Sequence, residues 1–136
     1  MASDDQPLLG LLSMILPCIA SGNRVVAVPS LKAALIVADF YQLLDTSDVP
    51  GGVINLVTGV PSELATVLAA HDDVAAIWAV GPADECEQIK KESAGNLKSV
   101  WTSDGKSPDW YDSQAEGSSW LERATQVKNI WVPYGE

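Results

Sequence analysis

The sequence is poor in the residues from which metal and nucleophilic sites are built. Its 136 residues include two cysteines and one histidine, too few at ligand spacing for a metal site. Cys18 and Cys86 lie far apart, in apolar or helical patterns. The sequence leaves a structural disulfide as one alternative, but two buried free thiols in a reducing compartment fit these patterns better. His71 follows a predicted helix end, where it interacts favourably with the helix dipole, so we expect neither a metal ligand nor a general base there.

Basic residues are scarce as well. The chain has 8 lysines and arginines against 18 aspartates and glutamates, for a net charge of −10. Such a surface repels nucleic-acid phosphates and anionic lipid, so we expect no nucleic-acid or membrane partner. The first residues lack the basic segment of a signal peptide, and the apolar stretch over residues 7–20 is too short to span a bilayer. We therefore expect a cytoplasmic protein.

What the sequence does contain is a regular alternation of apolar runs and helical patterns. In the stretch GNRVVAVPS, residues 22–30, a Gly-Asn turn leads into a β-branched run, and Ser30 can cap the helix that follows. Strands are predicted over residues 24–28, 53–57, 74–80 and 98–102, and helices over residues 7–20, 31–44, 62–70 and 84–93. The alternation predicts an α/β fold with a parallel sheet.

The last third of the chain has a different character. Residues 103–119 are rich in Asp, Ser and Gly and predict a loop, which is followed by a short helix over residues 120–126 and a last strand over residues 128–132. Large aromatic residues are concentrated here. They either cover a face of the sheet or form an exposed patch that mediates association; the candidates are Trp110, Tyr111, Trp120, Trp131 and Tyr134.

Four segments occur in the order typical of one enzyme family. They read PLLGLLSMILPCIASGNRVVAVPS, VPGGVINLVTG, AAHDDVAAIWAVG and NLKSVWTSDGKSP. Over roughly residues 5–109 the chain resembles the cofactor-binding domain of the aldehyde dehydrogenase superfamily, and the closing KNIWVPYG is similar to the strand that follows the catalytic domain there. The resemblance implies a Rossmann-like parallel sheet flanked by helices on both faces. It implies one domain over residues 1–136, in which residues 103–126 form a loop-rich bridge that replaces the catalytic domain.

The resemblance also implies where a nicotinamide dinucleotide would bind. Val28 stands where the family has a lysine that holds the ribose hydroxyls, and Leu31 stands in place of a ribose-binding glutamate. Gly81 is kept, but Pro82 replaces a serine on the phosphate side and has no N–H to donate. These changes leave polar groups of a dinucleotide without partners, which costs about 1–3 kcal/mol each.

The catalytic positions that the resemblance implies are altered too. Asp5 stands in place of the asparagine that donates to the oxyanion, and an ionised aspartate cannot donate. Ser103 or a neighbour takes the position of the general-base glutamate. The nucleophilic cysteine would follow Lys106-Ser107-Pro108, and the sequence has no cysteine after Cys86.

These substitutions predict a non-catalytic member of the superfamily, most similar to the degenerate second domain of its tandem-domain members. We expect no catalytic residue, no metal and no cofactor, only a vestigial NAD site. The expected role is structural, or an interaction with a protein partner or a second copy of the chain. The alternative is a residual nucleotide-binding module that uses Ser30, Gly59 and Gly81 with the N-termini of the helices.

Overall fold

The computed structural model describes residues 1–2, 4–127 and 129–135. Within these ranges the chain alternates helices and short strands, as the pattern of apolar residues predicts. In chain order the elements are α1 (Pro7–Ala20), β1 (Val25–Ala27), α2 (Ala34–Asp45), β2 (Ile54–Leu56), α3 (Pro61–Ala70), β3 (Ala76–Ala79), α4 (Ala83–Glu92), β4 (Ser99–Thr102) and α5 (Ser118–Arg123), with 3₁₀ turns at Leu31–Ala33, Ser93–Asn96 and Ser113–Ala115.

Local chemistry sets the helix ends. Pro7 and Pro61 open α1 and α3, where a fixed φ suits the helix and the missing N–H would have no intrahelical acceptor. After α1, the N–H of Ser21 donates to the carbonyl of Pro17 at 3.1 Å. Gly22 then adopts φ +81°, a conformation that favours glycine and ends the helix. The predicted bounds of the first helix, residues 7–20, are confirmed.

The strands run parallel, which confirms the predicted α/β class. β1 pairs with β2 in a register that sets Val25 opposite Ile54, and β3 pairs with β4 with Ala76 opposite Ser99. The strands are three or four residues long, shorter than the apolar runs that predict them. Backbone pairing also joins the described strands in two separate pairs, where the sequence predicts one continuous sheet.

The core lies in three apolar clusters around these pairs. One joins α1 and α2 to β1 and β2, and a second joins α3 and α4 to β3. The third places Met14 of α1 against Val80 and two tryptophans, on the other face of β3 and β4. Both faces of β3–β4 are therefore covered. On β1–β2 one face is covered, while Val26 on the other is 48% exposed.

The last third of the chain is only partly as predicted. A short helix forms, over Ser118–Arg123. The predicted last strand begins at position 128, which lies outside the described residues, and over residues 129–132 the prediction is wrong because no strand forms there. Ile130 and Trp131 are 83% and 92% exposed, so these apolar side chains face water instead of packing against a sheet. The assignment of residues 103–126 as a bridge in a single domain stays a prediction.

No helix among the described residues is long and apolar enough to cross a bilayer.

Candidate functional site

The residues predicted to meet a nucleotide follow the carboxyl ends of β1, β2 and β3. Ser30, Gly59 and Gly81 each lie between one of these strands and the next helix. In parallel α/β folds ligands bind at this edge, because the loops and the helix N-termini meet there. The structure therefore places the predicted residues where the alternation of strands and helices requires them. What can bind at this edge of the strands depends on which hydrogen-bonding groups of these residues are not already used within the protein.

Ser30 is engaged within the protein. Its side chain is buried, and its hydroxyl donates to the carboxylate of Asp4 while accepting the N–H of Lys32 at 3.2 Å. The ammonium of Lys32 lies 3.2 Å from the same carboxylate. The hydrogen bond from Ser30, and then Lys32, hold the pKa of Asp4 below its usual range. Ser30 thus caps the 3₁₀ turn Leu31–Ala33, whereas the prediction that it caps the following α-helix is wrong, because α2 begins at Ala34 with Ala33 as its N-cap and no side-chain cap. The hydroxyl also ties the segment before α1 to the turn after β1.

The neighbouring apolar positions offer no ribose donor. Val28 is 1% exposed, and its carbonyl accepts the N–H of Ala2 at 3.1 Å. Leu31 is 61% exposed and presents an apolar side chain to solvent. A nucleobase can rest against such a surface, but a ribose hydroxyl finds neither donor nor acceptor on either side chain.

Gly81 is also used internally. Its N–H donates to the hydroxyl of Ser103 at 3.2 Å, which joins the ends of β3 and β4. A Cβ at Gly81 would lie 3.3 Å from a carboxylate oxygen of Glu85. The exposed Pro82 precedes α4 and supplies no N–H, as the sequence predicts. Ser103, at the position implied for the general base, therefore acts as a structural hydroxyl.

The first turns of α3 and α4 retain backbone N–H groups without intrahelical acceptors. In α4 the turn carries Asp84 and Glu85, which stabilise the helix dipole but repel a phosphate. In α3 it carries Glu63 alone. Gly59, before α3, packs closely, because a Cβ there would lie 3.0 Å from a terminal methyl of Leu64, which would have to shift slightly. Of the two helices, α3 is the better anion site.

The loop after β4 is held by a separate set of charges. Asp104 accepts hydrogen bonds from the ammonium of Lys90 at 2.5 Å and from the hydroxyl of Thr102 at 2.7 Å. These bonds, the one from Lys90 first, hold the pKa of Asp104 below its usual range. Asp104 adopts φ +50° and Gly105 φ +81°, so this turn lies in the left-handed region and returns the chain toward Ala83.

Both cysteines are free thiols. Cys86 is buried, and its thiol donates to the carbonyl of Gly81 at 3.5 Å. The thiol of Cys18 donates to the carbonyl of Met14 at 3.3 Å, one helical turn back, and burial raises its pKa. A raised pKa keeps the thiol protonated and weakens it as a nucleophile.

The aromatic candidates divide into two groups. Trp110 and Trp120 are 3% and 7% exposed and belong to the core, so neither is available to a partner on the surface. Trp120 packs against Trp78, Trp101 and Trp110, with ring centroids 4.9–5.4 Å apart. The exposed candidates are Tyr111, Trp131 and Tyr134.

Two residues with structural consequences escape sequence reasoning. The N-terminal amino group of Met1 donates to the carbonyl of Trp78 at 2.8 Å, and the Met1 carbonyl accepts the N–H of Val80 at 3.2 Å. Ala2 bonds Val28 on the opposite side. The two residues thus join the β1–β2 pair to the β3–β4 pair. No local pattern signals this role, because it depends on two elements that are distant in the sequence.

Comparison with known proteins identifies close similarity to one family. The family model described as "Aldehyde dehydrogenase family" matches residues 5–125. The chain is 37% identical to the 2-aminomuconic semialdehyde dehydrogenase of Mus musculus, over 69% of this chain and 19% of that protein. It is 34% identical to the NADP/NAD-dependent aldehyde dehydrogenase PuuC of Escherichia coli, over 65% of this chain and 18% of that protein.

A solved structure gives the same result. Aldehyde dehydrogenase C of Pseudomonas syringae, a mutant in complex with NAD⁺ and octanal, matches with a TM-score of 0.67 and 32% identity. The match covers 71% of this chain and 20% of that one. The chain thus spans about a fifth of the length of the relatives it matches.

These comparisons correct two expectations. The expectation of a non-enzyme is wrong, since the matching relatives are dehydrogenases. The missing nucleophile does not argue otherwise, because four-fifths of the relatives' length lies outside the match. The expectation of no cofactor is also wrong, since one relative is named for NADP and NAD and another was solved with NAD⁺. The similarity to a degenerate tandem domain stays a prediction.

Proposed function

This chain belongs to the aldehyde dehydrogenase family, and we propose that it forms the nucleotide-binding part of an NAD(P)-dependent aldehyde dehydrogenase. One observation carries the proposal. The chain matches, at 32% identity over 71% of its length, a dehydrogenase solved in complex with NAD⁺. The carboxyl-edge residues of β1, β2 and β3 all lie within residues 5–125, the part that matches the family.

The described residues fit one part of a dinucleotide better than another. Lys32 supplies an exposed ammonium beside the end of β1, where it already pairs with the Asp4 carboxylate at 3.2 Å, so a phosphate shares this charge with Asp4. The first turn of α3 supplies N–H groups to a phosphate. Leu31 and Val60, 61% and 49% exposed, supply apolar surface for a base. The ribose finds no comparable partner at Val28. We therefore expect binding through phosphate and base, at low affinity.

When bound, NAD(P) supplies the hydride acceptor for aldehyde oxidation. The residues of this chain contribute binding and orientation. Ser30 and Asp4 fix the turn that carries Lys32, so that its charge stays at the strand edge. The hydrogen bond between Gly81 and Ser103 fixes the start of α4 in the same way.

The test is a titration of the ¹⁵N-labelled chain with NAD⁺ and with NADP⁺, followed by amide chemical shifts. We expect millimolar binding with shifts at Ser30, Lys32 and Ser62. Lys32→Ala should weaken binding roughly threefold to fivefold, as expected for an exposed ion pair worth about 1 kcal/mol. Lys91→Ala, at the far end of α4, is the matched control and should bind as the native chain does. Equal losses in both variants, or no shifts at the strand edge, would contradict the proposal.

A second candidate role is protein association. It is favoured by the three exposed aromatic side chains of the last third, Tyr111, Trp131 and Tyr134, which are 79%, 92% and 100% exposed. Exposed aromatic side chains are enriched at protein interfaces.

A further inference from the structure

The loop after β4 begins with a four-residue turn in a left-handed conformation. The N–H of Lys106 donates to the carbonyl of Ser103 at 3.0 Å. The two residues between them have positive φ, +50° at Asp104 and +81° at Gly105, as in a type I′ turn. Glycine adopts this conformation freely, and aspartate tolerates it better than most other residues do. The turn therefore favours an Asp-Gly pair at its centre.

The Asp104–Gly105 pair is also chemically distinctive in this sequence. It is the only position at which an aspartate or an asparagine precedes a glycine. The backbone nitrogen that follows an aspartate can attack the side-chain carboxyl carbon and close a five-membered ring. Glycine leaves this approach unhindered, because it has no Cβ. The side chain of Asp104 is 62% exposed, so water, which the reaction first releases and then consumes, has access to it.

Two hydrogen bonds hold the carboxylate of Asp104. Its Oδ1 atom accepts from the ammonium of Lys90 at 2.5 Å and from the hydroxyl of Thr102 at 2.7 Å. Lys90 lies in α4 and Thr102 ends β4, so the carboxylate joins a helix to a strand. This set of three residues is here named the Asp104 clasp. Its bonds, the one from Lys90 first, lower the pKa of Asp104 and so keep the carboxyl group ionised.

The Asp104 clasp opposes ring closure in two ways. Ring closure turns the carboxylate into a neutral imide, so the negative charge that pairs with Lys90 is lost. An ionised carboxylate also has no hydroxyl to release as water, and its charge repels the electron pair of the attacking nitrogen. Removing the ammonium of Lys90 therefore frees the side chain of Asp104 and increases the fraction that is in the reactive, protonated form.

We propose that the Asp104–Gly105 pair is a site of spontaneous backbone isomerisation, and that the Asp104 clasp restrains this reaction in the native chain. The nitrogen of Gly105 forms a bond to Cγ of Asp104, and its proton leaves with the carboxyl hydroxyl as water. Water then opens the five-membered succinimide. Where water attacks the carbonyl that came from the backbone, the original C–N bond breaks, the chain continues through Cγ, and the former backbone carbonyl carbon becomes a free carboxylate. No oxidant or reductant takes part.

The product has one more backbone carbon than the original turn. Its carboxylate is attached directly to Cα, so the acceptor no longer lies where Lys90 and Thr102 bind it. Ser103 precedes the modified residue, and its hydroxyl accepts the N–H of Gly81 at 3.2 Å. Isomerisation therefore loosens the loop against α4 and weakens the link between the ends of β3 and β4. This inference does not rest on the proposed nucleotide role.

The test is incubation of the full chain in mildly acidic buffer at physiological temperature, followed by mass spectrometry of the tryptic peptide of residues 99–106. The isomer keeps its mass but elutes separately, and an isoaspartate-specific methyltransferase labels it. We expect slow accumulation in the native chain and a rate at least about threefold higher in Lys90→Met, since this variant loses the main restraint on the carboxyl group. Lys91→Met changes the net charge equally but leaves the Asp104 clasp intact, so this matched control should isomerise at the native rate.

Two further measurements separate the Asp104 clasp from a general loss of stability. Lys90→Arg keeps a positive donor and should return the rate to near the native value, and a synthetic peptide of residues 99–110, which lacks α4, should isomerise faster than the native chain. Equal rates in Lys90→Met and Lys91→Met, or in the peptide and the native chain, would overturn the clasp as the restraint. Isoaspartate in the peptide but in neither the native chain nor Lys90→Met would overturn the site itself.

Discussion

The terminal amino group of Met1 donates a 2.8 Å hydrogen bond to the backbone carbonyl of Trp78. The bond connects the start of the chain to β3, 77 residues away. The charged group lies away from water, and burial lowers its pKa from 8.0 to about 6. The amino group that bonds Trp78 therefore loses its charge at a lower pH in the folded chain than in the unfolded chain.

This relationship predicts that stability rises with pH between 6 and 8. The unfolded chain keeps the proton up to its pKa of 8.0, while the folded chain releases it near 6, so the unfolded state binds more protons in this window. A chain with a free Met1 amino group should gain roughly 2 kcal/mol of unfolding free energy from pH 6 to pH 8. Urea unfolding at several pH values measures it. The Nα-acetylated chain is the control and should lose this dependence; an equal slope in both chains would refute the assignment.

Ser30→Ala should destabilise the fold by about 1 kcal/mol, the usual cost of losing a helix cap. The hydroxyl caps the turn after β1 through Lys32 and also bonds Asp4. Because that bond is the main cause of the lowered pKa of Asp4, the variant should raise this pKa toward its ordinary value. Carboxyl chemical shifts against pH and urea unfolding measure the two effects. Ser62→Ala, exposed in the first turn of α3, should change neither quantity.

Trp120→Ala should cost about 3–5 kcal/mol, as expected for a buried aromatic residue. Its ring contacts those of Trp78, Trp101 and Trp110, so the substitution removes the centre of the aromatic cluster. Tyr111→Ala, 79% exposed, should stay within about 0.5 kcal/mol of the native chain. Chemical denaturation followed by circular dichroism compares the two. Similar losses would mean that Trp120 is not a core residue.

Gly10→Ala should destabilise by about 1–3 kcal/mol although alanine favours helices. A Cβ at this buried position would lie 2.7 Å from the indole nitrogen of Trp110, and the Trp110 ring is held by Trp120. Gly51→Ala, which meets open space, should be neutral or slightly stabilising. The thermal midpoints of the two variants and a shift in tryptophan fluorescence for Gly10→Ala are the measurements. Shifted fluorescence with an unchanged midpoint would show that the ring moves aside at no cost, and no change in either quantity would contradict the predicted clash.

Local pattern predicts much of the fold and part of the site. The helices and strands are located within a few residues by the proline that opens each of α1 and α3 and by the apolar runs. The same reasoning identifies Val28, Leu31 and Pro82 as poor donors. It does not show that Ser30 and Gly81 are already occupied by Asp4 and Ser103, because those bonds join residues more than 20 positions apart.

Sequence comparison establishes the family, and it corrects what residue substitution alone suggests about activity and cofactor. The absence of a catalytic cysteine or a cofactor-binding lysine argues against activity only when the sequence covers the whole catalytic unit. This chain spans about a fifth of the length of its relatives. Only the structure separates the aromatic interface candidates into buried and exposed side chains. The sequence alone does not distinguish Trp120 from Trp131, but in the structure Trp120 is a core residue and Trp131 is exposed.

By itself the sequence determined the parallel α/β class and the order of its elements, because hydrophobic periodicity and turn chemistry act over a few residues. Tertiary structure alone decided the division into two strand pairs and the place of Met1 between them. Met1 bonds Trp78 and Val80 of one pair, and Ala2 bonds Val28 of the other. Such bonds depend on which distant strand edges meet, and no local signal specifies that meeting.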